Sequence, residues 1–340
     1  MNLKDLILKR LKQKRKVKAS EIIKETGFSR VYVNRFFKQL RDEEEIVLVG
    51  KANKAHYVLA RDEKTAKKGI KDIRIFEKNK DLAEHDVLRR IERETGIFTS
   101  LRANVKSCVD YAFSEMLNNA IEHSKSPDIH ISMSLSDNII TFTVSDWGIG
   151  IFNNIRRKKH LKSDLEAVQD LIKGKQTTAP LAHSGEGIFF TSKVADKLTF
   201  LSSDKKLLFD NAIGDIFLEN AKRRKGTTVN FTLSVDSDRN LTDIFKAYTD
   251  DSYGFSKTIV DIKLYKANTE YISRSQARRV LAGLEKFKKI VLDFRDVKIV
   301  GQAFADEVFR IWRQKHPNID IEPVNTNENI EFIIKHVSPE

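Results

Sequence analysis

The sequence is poor in residues that cross-link or interrupt a fold. It contains a single cysteine, Cys108, and five prolines among 340 residues. One cysteine cannot form an intrachain disulfide, which excludes the disulfide-rich secreted class and favours a reducing compartment. No stretch approaches the roughly 20 apolar residues of a membrane-spanning helix, and no signal-like leader opens the chain. We therefore expect a cytoplasmic protein rather than a membrane receptor.

Acidic residues are too few to balance the basic ones. Lys and Arg number 61 and Asp and Glu 48, which gives a net charge of +13. The excess is pronounced in residues 1–60, which hold 15 basic and 7 acidic side chains. Basic charge concentrated in one region is typical of proteins that bind a polyanion, usually nucleic acid. The alternative is a basic surface that serves solubility alone.

Residues 3–42 carry successive helical signals. A first helix is indicated over residues 3–17, a second over 20–26 ends at Gly27, and Ser29 is placed to cap a third. Apolar residues recur at helical spacing on one face of this third helix: Val33, Phe36, Phe37 and Leu40. That face is expected to pack on a core and the opposite, polar face to remain exposed.

Two short apolar segments, residues 46–49 and 56–59, then predict a two-stranded hairpin. Three helices followed by such a hairpin resemble the winged helix-turn-helix domain of DNA-binding proteins. The resemblance implies that the third helix enters the major groove and that lysines at the hairpin tip contact phosphate. The residues that it assigns to double-stranded DNA are Arg30, Tyr32, Asn34, Arg35, Lys38, Lys51 and Lys54. Domains of this architecture can bind protein instead, and that alternative stays open.

Residues 63–80 are dense in lysine and have no sustained apolar period, which predicts a charged linker or an exposed helix. The next segment, residues 81–94, contains His85 followed by Asp86. This pair is similar to the phosphoacceptor box of histidine kinases, but the usual proline is missing. We therefore expect a solvated surface histidine.

Residues 113–124, FSEMLNNAIEHS, combine a polar and an apolar face. In a helix, Glu115 and Asn119 lie one turn apart on the same face. Apolar residues recur at helical spacing on another face: Val105, Cys108, Val109, Ala112, Met116 and Ala120. A carboxylate and an amide beside an apolar face need partners, and a metal ion with its water would supply them. A surface helix with a solvated polar stripe is the alternative.

Three further motifs follow. The apolar run 138–144 predicts a strand that ends in the sequence DWGIG, which contains Asp146. The sequence HSGEG, residues 183–187, precedes a predicted helix, and GTTV, residues 226–229, is the predicted start of a strand. Residues 113–124 and these three motifs make four motifs in a fixed order. In this order they resemble the ATP-binding domain of gyrase, heat-shock chaperone, histidine kinase and MutL-type proteins (the GHKL superfamily). Over roughly residues 75–235 the likeness is strongest to its histidine kinase and anti-sigma-factor kinase branch.

This resemblance implies an ATP site with assigned roles. Asn119 would coordinate Mg²⁺ through its amide oxygen, and Glu115 would orient or deprotonate an attacking water or hydroxyl group. Asp146 would accept a hydrogen bond from the adenine amino group. The other residues that it assigns to ATP are glycines and threonines: Gly148, Gly150, Gly185, Gly187, Thr227 and Thr228.

Residues 151–184 would form a lid over the nucleotide. They contain one basic run at 156–160 and the start of another at 173–175. Basic side chains there could contact the phosphates or a protein or DNA surface, or belong to a solvated loop. Because lids of this kind become ordered when ATP binds, the segment is the expected switch element.

Residues 258–337 alternate strand and helix signals, which is typical of a small α/β domain. The sequences VLDF, residues 291–294, and VGQA, residues 300–303, resemble the STAS fold of anti-sigma-factor antagonists. That family carries a phosphorylatable serine at the helix start, where this chain has Gln302, which lacks a hydroxyl group. The departure favours an interaction module over a fused phosphorylation substrate. Residues 273–279 could bind an anion or partner at a helix start, or form an ordinary helix.

The predicted fold is multidomain. A winged helix domain over residues 1–62 and a charged linker over 63–80 precede an α+β GHKL sandwich of the Bergerat type over 81–236 and a STAS-like α/β domain over 237–340. We expect a transcription regulator that binds double-stranded DNA and is switched by Mg·ATP binding and slow hydrolysis. We further expect a homodimer and a protein partner at the STAS-like domain. The alternatives are a serine or histidine protein kinase of the anti-sigma-factor type and a nucleotide sensor without turnover.

Overall fold

The computed structural model describes residues 2–49, 55–63, 66, 70–174, 186–250, 255–262 and 273–338. The chain divides into two compact units. The first comprises Met1–Arg74, His85–Leu101 and Met133–Asp137, and the second comprises Ile75–Glu84, Arg102–Ser132 and Asn138–Glu340. The predicted DNA-binding residues belong to the first unit and the predicted ATP motifs to the second.

The amino-terminal part of the first unit consists of helices followed by an antiparallel hairpin: α1 (Leu3–Lys14), α2 (Ala19–Thr26), α3 (Arg30–Asp42), β1 (Ile46–Val49) and β2 (His56–Leu59). The predicted end of α2 is confirmed, because Gly27 follows it with a left-handed φ of 71°. The predicted cap of α3 is confirmed as well, since the Ser29 hydroxyl accepts a hydrogen bond from the Tyr32 N–H. Helix α1 ends at Lys14, earlier than predicted, because Arg15 adopts a left-handed conformation.

Apolar side chains from these helices and strands form one core: Leu3, Ile7, Leu11, Val17, Ile22, Val33, Phe37, Leu40, Ile46 and Leu59. Burial of Val33, Phe37 and Leu40 confirms the predicted apolar face of α3, and Phe36 is partly buried beside them. The Phe37 ring stacks on Tyr57 at 4.2 Å between centroids. This packing orients α3 and leaves its polar face exposed.

The segment predicted to be a linker contains a strand, β3 (Asp72–Lys78). Ile73 and Ile75 are buried on one face of it, and Asp72, Arg74 and Phe76 between and beside them are exposed. One short, largely apolar stretch, residues 73–76, is a weak strand signal in a lysine-rich sequence. Helix α4 (Glu84–Glu94) follows, and its His85 side chain is 57% exposed, in agreement with the predicted surface histidine.

The elements that follow α4 are α5 (Ala103–His123), β4 (Asp128–Ser136), β5 (Ile139–Asp146), α6 (Ile151–Lys158), α7 (Asp164–Ile172), α8 (Gly187–Val194), β6 (Lys197–Asp210), β7 (Asp215–Ser234) and α9 (Leu241–Tyr248). Within the described residues the main sheet has five strands in the order β3-β4-β5-β7-β6. Strand β7 pairs antiparallel with β5 and with β6. Phe113 of α5 packs edge-on against Phe142 of β5, which stacks on Phe231 of β7. These rings fix α5 on the sheet.

Strands β6 and β7 form a long hairpin with an irregularity in the middle. Ser202 pairs with Thr227, but the next residue, Ser203, pairs with Arg224, so β7 bulges between those positions. Gly226 lies in the bulge with a φ of 75°. The motif predicted to start a strand therefore lies inside β7 instead.

The carboxy-terminal part contains a parallel sheet in the order β10-β9-β8. Its elements are β8 (Lys257–Asp261), α10 (Arg274–Leu281), β9 (Lys289–Asp293), α11 (Gln302–Ala305, continued by the π-helical turn Asp306–Trp312 and by Arg313–Lys315), β10 (Asp320–Val324) and α12 (Glu328–Val337). Asn327 caps α12, because its side-chain oxygen accepts a hydrogen bond from the Ile330 N–H. The sequence did not predict α9.

The single cysteine and the lengths of the apolar helices bear on the expectations drawn from composition. The Cys108 side chain is fully buried on the apolar face of α5, as predicted, and burial raises the pKa of its thiol. Among the helices that the structure describes, none is long and apolar enough to cross a bilayer.

Candidate functional site

One cavity of about 170 Å³ gathers most of the predicted ATP-contacting residues. Helix α5, the end of β5, the start of α6, the start of α8 and β7 all contribute to its wall. The predicted residues that line it are Glu115, Asn119, Asp146, Gly150, Gly187 and Thr227. Asn118 and His123 of α5 line the cavity too. Asn118 lies about one helical turn after Glu115, and His123 lies one turn after Asn119. Motifs more than 100 residues apart in the chain thus meet in one place.

Asp146 ends β5 with its carboxylate almost completely buried, at 4% exposure. Its two oxygens accept hydrogen bonds from backbone N–H groups, one from Gly148 at 2.8 Å and one from Thr227 at 3.2 Å. Burial nevertheless raises the pKa of Asp146 above its usual range, against the effect of the two N–H donors. The carboxyl group is therefore held rigidly at the cavity wall, in a setting where a further hydrogen-bond donor would stabilise its ionised form.

Glu115 and the start of α8 are in very close contact. A Cβ atom added to Gly187 would lie 1.8 Å from the Glu115 Oε2 atom, so only glycine allows the carboxylate and the helix start to approach this far. Burial, together with the carboxylates of Glu115 and Glu186, raises the pKa of the nearby Tyr111 phenol. The sequence did not single out Tyr111, because an aromatic residue on an apolar helix face usually belongs to the core.

The other predicted residues lie elsewhere or outside the described part. Gly148 lines a second cavity of about 930 Å³, which also contains Gly150. Thr228 is buried next to the first cavity, with its hydroxyl 2.7 Å from the Ser145 Oγ atom. Gly185 lies outside the described residues, as do Lys51 and Lys54. The DNA-binding candidates that the structure describes are all exposed on α3: Arg30, Tyr32, Asn34, Arg35 and Lys38.

Arg224 is a site residue that sequence reasoning missed. Its guanidinium donates to the Thr228 hydroxyl and lies 3.5 Å from the backbone oxygen of Asp146. The bulge in β7 turns Arg224 toward this position, and a bulge is not visible in the sequence. The only indication of Arg224 in the sequence was its place in the basic run that precedes Gly226.

The predicted lid begins with two helices whose basic residues are partly engaged. Arg156 of α6 forms an ion pair with Asp164 at 3.2 Å, and Lys159 forms one with Asp170 at 2.6 Å. Residues 175–184, which complete the predicted lid, lie outside the described residues.

Lys173 connects the end of the described lid segment to the carboxy-terminal part of the chain. The side chain is buried, and its ammonium donates to the backbone oxygens of Arg279 and Ala282, at 3.0 and 2.8 Å. The Lys173 backbone oxygen in turn accepts from the Thr258 hydroxyl of β8 at 2.6 Å. Burial lowers the pKa of Lys173 to about 8. This residue therefore holds the end of α10 and strand β8 next to the end of α7.

We expect Lys173→Met to lower the free energy of unfolding by about 1–3 kcal/mol, because two buried carbonyl groups lose their donor. Hydrogen exchange should also speed up at the amides of α10, while α5 keeps its protection. Equilibrium urea unfolding and hydrogen exchange measure the two effects. The exposed Lys162 supplies the matched control, Lys162→Met, which should change neither. Equal effects of the two substitutions would contradict this anchoring role.

The segment 273–279, which could have bound an anion, makes internal contacts instead. Ser273 caps α10 in a reciprocal pair with Gln276. Arg278 and Arg274 form ion pairs with the acidic residues Glu307 and Asp306 of α11. These contacts favour the interpretation of an ordinary helix. Gln302 is the first residue of α11, at the position where the resemblance places a serine.

Two family models match separate parts of the chain. No curated protein matches the sequence. Residues 276–331 match the model of a STAS-like domain of unknown function, and residues 82–208 match that of the histidine kinase-like ATPase domain. The second match includes Glu115, Asn119 and Asp146, and ends before Thr227. The chain therefore contains a histidine kinase-like ATPase domain followed by a STAS-like domain.

Proposed function

We propose that the protein is a DNA-binding regulator whose central domain, residues 81–236, binds Mg·ATP. The observation that carries the proposal is the convergence of Glu115, Asn119, Asp146 and Gly187 on one cavity inside the segment that matches a histidine kinase-like ATPase domain. A winged helix domain over residues 1–62 would bind double-stranded DNA. A STAS-like domain over 237–340 would bind a protein partner, and the assembly would be a homodimer.

Adenine recognition is assigned to the buried end of β5. The Asp146 carboxylate would accept a hydrogen bond from the adenine amino group, which replaces part of the solvation that burial removes. Thr227 and Thr228 lie on β7, the strand that pairs with β5. They would form the wall of the site on the adenine side. Gly148 and Gly150 keep the adjoining backbone free of side chains. The phosphates would extend toward the start of α8, where Gly187 offers a backbone N–H group at the positive end of a helix dipole. Gly185 stays a predicted phosphate contact.

The residues of α5 suit a hard cation and a water molecule. The Asn119 amide oxygen is a ligand of the kind that Mg²⁺ prefers, with phosphate oxygens and water as the other ligands. Bound Mg²⁺ would neutralise phosphate charge. Glu115, one turn before Asn119, is placed to orient or deprotonate a water or hydroxyl group. Hydrolysis with Glu115 as the base would reset the switch.

The proposal of DNA binding rests on α3 and on charge. The buried side of α3 leaves Arg30, Asn34 and Arg35 exposed on the helix, and these are side chains that can hydrogen-bond base edges in the major groove. The excess of basic residues in positions 1–60 supports contact with phosphate. Lys51 and Lys54 stay predicted phosphate contacts.

ATP can shift DNA binding only if the two DNA-binding states differ in their affinity for ATP. The decisive test is therefore a DNA titration with and without Mg·ATP, repeated over a salt series, with a duplex that the protein has enriched from random sequence. We expect the DNA dissociation constant or the oligomeric state to change with nucleotide. Superimposable titrations at every salt concentration would contradict the proposal.

The same titrations test α3. We expect Arg35→Glu to weaken binding of the enriched duplex by roughly 5- to 150-fold, the effect of losing one good base contact of about 1–3 kcal/mol. Lys12→Glu, an equal charge change at an exposed position of α1, should cost much less. If both variants weaken binding equally, only general electrostatics is involved, and if Arg35→Glu binds normally, α3 does not read DNA.

A protein kinase of the anti-sigma-factor type is the second candidate, because the domain match itself names histidine kinases. In that case Glu115 would activate a serine or histidine of a partner rather than water. Incubation with γ-labelled ATP distinguishes the two functions: label retained on protein indicates a kinase, and label released as free phosphate indicates an ATPase. A nucleotide sensor without turnover would show neither.

A further inference from the structure

The cavity of about 930 Å³ is strongly basic. Its wall is built by the loop after α5, the end of β5, helix α6 and the bulge between β6 and β7. The basic side chains that line it are Lys125, Arg156, Arg157, Arg223, Arg224 and Lys225. Only two acidic residues, Asp164 and Asp204, line it as well. The proposed function uses none of these basic side chains, although Gly148 and Gly150, which it assigns to ATP, also line the cavity.

Most of its positive charge is not neutralised within the part of the chain that the structure describes. Asp164 is paired with Arg156, and Asp204 lies 3.4 Å from Lys205. Lys125, Arg157, Arg223 and Lys225 form no ion pair among the described residues. Like charges held around one concave surface repel each other, and an anionic ligand would relieve that repulsion.

An aromatic side chain stands at the same cavity. Trp147 is 41% exposed. Its backbone is nevertheless held in place, since the backbone N–H of Trp147 donates to the Ser126 hydroxyl at 3.1 Å. The indole makes an edge-to-face contact with the His130 ring, with the ring centroids 4.2 Å apart. The His130 ring makes a contact of the same kind and distance with Phe76. A supported but exposed indole beside arginines offers a flat surface on which a base can stack.

We propose that this cavity binds single-stranded nucleic acid, with a base on Trp147 and phosphates on Arg157, Arg223 and Lys225. An electropositive groove with an aromatic platform is the usual way in which proteins hold a single strand. The volume lies near the upper end of the range of about 300–1,000 Å³ for small-ligand pockets, which suits a few nucleotides of one strand. A duplex exposes its bases only in its grooves and cannot stack one on an indole.

The cavity adjoins the proposed nucleotide site. Gly150 lines both cavities, and Arg224 lines the basic one while contacting Thr228 and the backbone oxygen of Asp146. A phosphate that draws the Arg224 guanidinium away would change the surroundings of Asp146. Strand and ATP should therefore alter each other's affinity by the same factor, as linkage requires.

The test uses the full chain and a fluorescein-labelled 12-nucleotide oligothymidylate, which forms no duplex, in an anisotropy titration. Arg223→Glu should weaken its binding at least tenfold and reduce the slope of log K against log salt by about 0.7 for each phosphate that is no longer neutralised. Lys222 is the matched control, because it neighbours Arg223 on β7, is exposed and does not line the cavity. Lys222→Glu should change the affinity by less than about twofold.

Substitutions at two further positions, Trp147 and Arg35, distinguish this cavity from α3 as the binding site. Trp147→Phe should retain most of the affinity and Trp147→Ala should lose roughly 5- to 150-fold, the effect of one stacked base. Arg35→Glu should leave oligothymidylate binding unchanged. The proposal is overturned if Lys222→Glu is as harmful as Arg223→Glu, if Arg35→Glu removes the binding, or if inorganic triphosphate displaces the oligonucleotide at equal concentration. Calorimetry with Mg·ATP is read separately, so a failure of the nucleotide proposal would not be mistaken for a failure of this one.

Discussion

Replacing Gly148 by alanine should destabilise the second unit by about 3 kcal/mol or more, the upper range for forcing an extra carbon atom into a packed site. The added Cβ atom would lie 1.7 Å from the Ser124 backbone oxygen and 2.5 Å from its carbonyl carbon. That oxygen is fixed, because it accepts a hydrogen bond from the Ile149 N–H at 2.8 Å. Neither backbone segment can move without disturbing the loop that holds Asp146. Urea unfolding followed by circular dichroism measures the loss.

Gly283→Ala is the matched control for this substitution. Gly283 has a φ of 77°, and a Cβ atom there would meet nothing within 4 Å. Its replacement should cost only the strain of a left-handed alanine, about 1–2 kcal/mol. If Gly148→Ala costs no more than Gly283→Ala, the close approach to Ser124 is not the reason for glycine in the DWGIG motif.

Asp146→Asn should reduce the affinity for Mg·ATP by roughly 10- to 150-fold, because a hydrogen bond to a charged acceptor contributes about 1.5–3 kcal/mol. The substitution keeps the shape of the side chain and removes its charge. One of the two backbone donors, from Gly148 or Thr227, would then face an amide N–H group. Isothermal calorimetry measures the affinity, and circular dichroism verifies that the variant is folded.

The pH dependence of the wild type tests the same assignment without a mutation. Because the folded pKa of Asp146 is raised, the stability that this carboxyl group contributes to the ligand-free protein is present below its unfolded pKa and is lost as the pH rises through the folded value. In the proposed site the adenine amino group would donate to the ionised carboxylate, so affinity for Mg·ATP should change in the opposite direction and fall as the pH decreases through the raised pKa. Asp146→Asn should lack this part of the pH dependence.

Asp137→Asn provides the control, since Asp137 is exposed in the turn between β4 and β5 and asparagine tolerates its φ of 51°. It should bind Mg·ATP like the wild type. Wild-type affinity in Asp146→Asn, with the same pH profile, would remove Asp146 from the adenine site.

Local signals in the sequence were sufficient for many elements. Ser29 caps the helix it was expected to cap, and Gly27 ends α2. Residues 113–123 lie in a helix with its apolar side buried, as spacing alone indicated. These features depend on neighbours within about one helical turn, and such interactions are written directly in the sequence.

Strand β3 and the bulge at Gly226 were not predicted, and their causes are not local. Only three apolar side chains mark β3, which is a strand because a neighbouring strand supplies its hydrogen bonds. The bulge depends on the register between β6 and β7. For the same reason Arg224 was overlooked, since the bulge alone brings it to the backbone of Asp146.

The sequence by itself determined the residue types of the candidate site: the carboxylates Glu115 and Asp146, the amide of Asn119 and the glycines around them. Only the tertiary structure decided that Asp146 shares one cavity with Glu115, and that six cations line a second cavity beside it. Chemistry resides in single side chains and is therefore visible in a sequence. Proximity between distant segments results from the packing of α5 on the sheet and from strand register, which no single segment encodes.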